Sequence, residues 1–245
     1  MQKSIATFSL IIIGLFAFIQ TAFAELEVTE EERAVFAYFK LTDQKPDYEQ
    51  WIKNSTKYQE ARGVLQDDIL STETERLSWG FETFDLAKGF ITITRPIRLT
   101  TVVNEDGKRV VNTRFVDERH NETPYFPISY GNESIAFIIE GLEQYRTITL
   151  KPEEVAKIKE YFFDASPYEA VMELRIRPLS ADAQEKLFVD YKDQWLMLGD
   201  IAYLQIKFYD EYKLENITVW DYNAPWYLEV SQKALLEMFK NTDEE

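Results

Sequence analysis

The sequence predicts an α+β fold: a mainly antiparallel sheet with packed helices at both ends and one or two more between strands. Three observations carry this expectation. A capped amphipathic segment begins at Thr29, β-branched and alternating runs fill the chain between about residues 90 and 222, and a proline-led segment with an apolar face closes it from Asn223. The composition suits a packed domain, with 45% of the 245 residues hydrophobic and 15% aromatic.

Residues 1–24 stand apart from the rest. Lys3, an apolar run over 5–19 and the ending Ala22-Phe23-Ala24 have the three-part layout of a secretory signal peptide. The expected mature chain is a single α+β domain over 25–245, with a helical part over 25–77 and a sheet-rich part over 78–245. The apolar run is shorter than the ~20 residues a spanning helix needs, and no later run approaches that length, so no membrane span is expected after cleavage.

Cleavage removes one lysine and no acid, so the formal charge of -16 becomes one unit more negative. Such a balance repels nucleic acid and anionic lipid. The chain has no cysteine, which removes disulfides, thiolate metal sites and cysteine nucleophiles. An exported chain without thiols fits a bacterial periplasm better than a disulfide-forming secretory route, with the extracellular space as the alternative address. Asn-x-Ser/Thr triplets at Asn54, Asn121, Asn132 and Asn216 point the other way, although such triplets also arise at turns and caps.

Along the mature chain, Thr29 followed by Glu30, Glu31 and Glu32 is a capping box, and Val35, Phe36, Tyr38 and Phe39 give the helix its apolar face. A second helix follows Pro46 and Asp47 with Tyr48, Trp51, Ile52 and Tyr58, and Gly63 ends or interrupts it. Residues 64–77 are mixed and weakly helical, with Ser71 as a candidate cap. From Trp79 the pattern reads as strand, because Trp79, Phe81, Phe84, Phe90, Ile91 and Ile93 favour sheet and Gly80 and Gly89 interrupt them. Asn104-Glu105-Asp106-Gly107 joins two β-branched runs as a hairpin.

Pro124 and Pro127 frame an aromatic loop, and short strands follow over 135–139 and 145–150 around Gly141. Lys151-Pro152-Glu153-Glu154 starts a helix with Val155, Ile158 and Phe162 turned to the sheet. Residues 171–177 alternate, with Met172, Leu174 and Ile176 on the inner face. Residues 181–193 are ambiguous, short of strand formers but compatible with a helix carrying Leu187, Phe188 and Tyr191; strands follow over 201–209 and 217–222, then the C-terminal helix. Arg95-Pro96 and Arg177-Pro178 each close an alternating run, so each proline marks a strand terminus or an edge.

Catalytic motifs are sparse. The lone histidine, His120, sits among Asp117, Glu118 and Glu122, either as a base oriented by one of them or as a solvated loop residue. There is no G-x-S-x-G elbow, S-x-x-K pair, P-loop or G-x-G-x-x-G run, so neither a serine enzyme nor a nucleotide cofactor is expected. No metal site is expected either, since Asp190, Asp193 and Asp200 lack calcium-loop spacing. Paired carboxylates for glycoside hydrolysis have candidates in Glu82, Asp85, Glu140, Asp200 and Asp221, with Trp79, Trp195, Trp220 and Trp226 to stack on sugars.

Binding candidates are Trp79, Phe81 and Phe84, whose glycine neighbours either shape a groove or permit a bulge, and Tyr125, Phe126 and Tyr130, in a loop too apolar to stand in water alone. The sequence thus favours an exported soluble protein, a periplasmic binding or interaction domain whose partner is an envelope protein or a peptide or glycan ligand. The alternative is a carboxylate-dependent hydrolase of envelope or extracellular glycans.

Overall fold

Thr29 caps the first helix, α1 (Glu30–Leu41), as the sequence demands: its hydroxyl accepts the Glu32 amide at 3.2 Å and the Glu32 carboxylate accepts the Thr29 amide at 2.9 Å. This computed structural model describes residues 28–115, 125–161, 168–210 and 215–229. The expected leader, His120, the Asn121 triplet, Pro124, Pro167 and most of the C-terminal helix lie outside them.

Three helices follow α1. Asp47 caps α2 (Tyr48–Asn54), Ser55 caps α3 (Thr56–Glu60), and Gly63 leads into α4 (Val64–Thr83) with φ 59, a left-handed value only glycine adopts freely. The long α4 corrects two expectations. Ser71 lies inside it rather than capping anything, and Trp79 to Thr83 are helical rather than strand. The physical reason is the close approach of α4 to α1: a Cβ on Gly80 would stand 2.9 Å from Val28 Cγ2 and 3.1 Å from Phe36 Cε2. Leu77, Gly80, Phe81 and Phe84 therefore form one face at helical spacing, with Gly80 as a contact position and not a bulge.

The sheet comprises β1 (Ile91–Val103), β2 (Arg109–Phe115), β3 (Phe126–Tyr130), β4 (Glu133–Glu140), β5 (Thr147–Thr149), β6 (Tyr168–Ala181), β7 (Leu187–Val189), β8 (Lys192–Asp210) and β9 (Glu215–Asn223). Its order is β3-β4-β8-β6-β1-β2-β5, with β7 and β9 also paired to β8. Every pairing is antiparallel except β4 with β8, so the sheet is mixed. A single-turn 3₁₀ helix (Leu142–Tyr145) follows β4, and α5 (Pro152–Tyr161) follows β5. Residues 225–229 are helical where the described chain ends.

The alternation expected in β6 is present, with Met172, Leu174 and Ile176 all buried against α1 and its neighbours. The β1–β2 hairpin turns through Gly107 at φ 74. Two further expectations are corrected. The aromatic loop is in part a strand, because Gly131 at φ 60 makes a two-residue turn that pairs β3 with β4. The segment over 181–193 is a hairpin rather than a helix, with β7 turning directly into β8.

Neither Arg-Pro step ends its strand, since Pro96 lies inside β1 and Pro178 inside β6; both sit where sheet pairing changes. Pro96 lies one residue beyond the last β1 position paired to β2, Ile97, and Pro178 borders the bulge at Leu179.

Candidate binding site

The six sequence-predicted binding residues do not converge. Trp79 remains 45% exposed on α4 and, with Phe84, Arg33 and Lys88, lines a cavity of about 450 Å³ between the start of α1 and the end of α4. Phe84 itself is buried. Phe81 packs edge-on against Phe36 at 5.7 Å, and Lys40 lies 5.1 Å over its ring. Tyr130 meets Trp51 edge-on at 5.4 Å across the helix–sheet boundary. Tyr125 and Phe126 are buried, and the Tyr125 hydroxyl donates to the Asp190 carboxylate.

The acids expected to pair across a cleft are also divided. Glu140 and Asp200 are cross-strand neighbours in the β4–β8 ladder, and Asp200 is bound to Arg177 at 2.9 Å. The Arg177 guanidinium lies 3.8 Å over the Trp226 ring, which stacks on Phe90. Asp85 accepts the Ala87 amide beyond α4, Glu82 lies in the last turn of α4, and Asp221 on β9 accepts from the Asn223 side chain. Trp195 stacks on Tyr38 and donates to Glu133, while Trp220 packs on Tyr145.

What the structure does assemble is a groove and a finger on the same length of chain. The segments leading into and out of the β7–β8 hairpin line an open groove of about 660 Å³, with Ala181 and Ala183 from the first and Leu196 and Leu198 from the second. Ile138 of β4 and Leu41 of α1 complete its apolar lining, and Ser180, Asp182 and Gln184 contribute polar groups. Tyr38 anchors this wall, donating its hydroxyl to the Asp182 carbonyl at 3.2 Å. Burial, and then the Glu133 and Asp182 carboxylates, hold that phenol well above its usual pKa, so it stays a donor.

The finger is the hairpin. Val189 pairs with Lys192, so Asp190 and Tyr191 alone make the turn, with φ 49 and 63. Two successive positive φ values match the right-handed twist of the strands, and asparagine and glycine are the residues that usually supply them. Aspartate tolerates the region, whereas for tyrosine it costs roughly 1–2 kcal/mol. The result is a convex tip on which Leu187, Phe188 and Tyr191 are 47%, 67% and 88% exposed. At its base Lys186 lies 4.6 Å over Trp195, and the buried Gln194 donates to the Val189 carbonyl at 3.1 Å while its Oε1 has no partner among the described residues.

Sequence reasoning missed this arrangement because Leu187, Phe188 and Tyr191 suit one face of a helix equally well, and the Asp-Tyr step carries no turn signal. Among the described residues no three acids and histidines gather closely enough to hold a metal, and no helix is long and apolar enough to cross a membrane. No family model, curated protein or solved structure matches the chain.

Proposed function

We propose that the protein is an exported, periplasmic interaction domain that engages a component of the bacterial envelope through the β7–β8 hairpin and its adjoining groove. The observation that carries this reading is the tip itself: a backbone held in a disfavoured conformation presents Phe188 and Tyr191 to solvent. Strained backbone and unpaired apolar surface are both costly in a monomer, and both concentrate at contact sites. The leader-like N-terminus and the shortage of catalytic motifs support export and binding. The glycan-hydrolase alternative has less support, since Asp200, Asp85 and Asp221 are each engaged by a structural partner.

A photo-reactive benzoyl-phenylalanine placed at position 188 in the native host tests the reading. Cross-linking to an envelope component from 188, well above that from the somewhat more exposed position 64 on α4, is the expected result. Equal yields from both positions would overturn it.

A further inference from the structure

We infer that what the hairpin meets is a zwitterionic lipid surface, with Phe188 and Tyr191 inserted at the headgroup level; this rests on the interaction reading above. Area is the first argument. Leu187 and Phe188 on β7 and Tyr191 in the turn offer a few hundred Å² at most, whereas a stable protein contact buries roughly 1,200–2,000 Å². Insertion into a lipid interface needs no flat complementary surround and strengthens with each apolar group buried.

The order of residue types is the second argument. Phe188 and Leu187 supply apolar surface and Tyr191 an amphipathic ring, with Lys192 next to it in the chain and Lys186 over Trp195 at the base of the hairpin. Phenols, indoles and long-stemmed lysines populate the membrane–water boundary because each has an apolar body and a polar end. Charge selects the lipid. The chain carries -16 and is repelled by anionic membranes. Along the hairpin, however, Lys186 and Lys192 alternate with Glu185, Asp193 and an Asp190 bonded by Tyr125, a mixed set that suits the ammonium and phosphate of a zwitterionic headgroup better than a single-sign surface.

The test is sedimentation of the exported chain, recovered from its host, with phosphatidylcholine vesicles and with vesicles containing added phosphatidylglycerol. Wild type should partition to phosphatidylcholine at least about tenfold better than F188S/Y191S, since two large side chains lose their apolar burial. V64S/L65S, which removes exposed apolar groups from α4, should bind like wild type. A tryptophan in F188W should shift to the blue on phosphatidylcholine, and added phosphatidylglycerol should weaken binding. Equal partitioning of wild type and F188S/Y191S, or a preference for the anionic vesicles, would overturn the inference. A protein adduct from position 188 without vesicle binding would overturn the lipid surface and leave the interaction reading standing; failure of both assays would remove both.

Discussion

Replacing Arg76 by methionine should destabilise the protein by about 3 kcal/mol, because it strands a buried charge. Arg76 reaches from α4 to both oxygens of Glu32 at 3.0 and 2.5 Å, and its Nε meets Glu73 at 2.8 Å. Glu32 is 2% exposed and Arg76 16%. Removing one member of such a pair costs roughly 3–5 kcal/mol, and the lower end applies because Thr29 and Tyr130 still bond the carboxylate. In urea, with a slope near 3 kcal/mol/M for a chain of this size, the midpoint should fall by about 1 M. E32M/R76M should be more stable than R76M alone, since no charge is then left buried and the main loss is the capping bond to Thr29.

The pH dependence sharpens the test. Burial pushes the Glu32 carboxyl up, but hydrogen bonds from Arg76, Tyr130 and Thr29 outweigh it and hold the group below its usual value of 4.5. A lowered folded pKa means that Glu32 contributes stability above that value and loses it as pH falls through the depressed one. In R76M burial dominates and the pKa rises, so acid relieves the stranded charge. The gap between wild type and R76M should be widest at neutral pH and narrow below about pH 4.5. A loss under about 0.5 kcal/mol, or a gap that does not change with pH, would refute the account.

Two further outcomes follow from backbone geometry. G199A should lower the melting temperature by roughly 5–10 °C, corresponding to about 2–3 kcal/mol, because its Cβ would stand 2.4 Å from Ile176 Cγ2 and 2.7 Å from Phe137 Cε2 in the closed core; thermal unfolding followed by circular dichroism measures it. Y191G should raise the urea midpoint, by about 1 kcal/mol in stability, because glycine removes the left-handed penalty at φ 63. The same variant should bind phosphatidylcholine vesicles more weakly than wild type.

Local signals were legible wherever the chemistry was local. Thr29 with Glu32, Asp106-Gly107 and the alternation of Met172, Leu174 and Ile176 each specify their element without reference to the rest of the chain. Misreadings fell where a distant partner decided the outcome. Gly80 suggested a broken strand because a glycine's packing role is invisible until α1 lies against it. Phe126 to Tyr130 looked like a loop because Pro127 discourages sheet, but β3 lies at the end of the sheet order, where a proline removes no internal ladder bond. Of the candidate site, the aromatic residues could be read and their exposure could not, since Phe84 and Phe126 go inside while Phe188 stays outside.

The placement of the finger follows from β8. This strand runs 19 residues and serves β6 along one edge, β4 and then β9 along the other, so its central part is fixed on both sides. Its first three residues extend beyond those partners and pair only with β7. Strain at Asp190 and Tyr191 therefore distorts little of the core, while the tip stays rigidly aimed because it continues the most heavily paired strand of the sheet. A flexible loop could present the same side chains only by losing conformational entropy on every encounter. If Y191G gains stability and loses binding together, the tyrosine is retained for contact rather than for folding, as a trade of stability for function requires. If it gains stability and binds as well as wild type, the strain has no role in recognition and Phe188 alone would have to carry the contact.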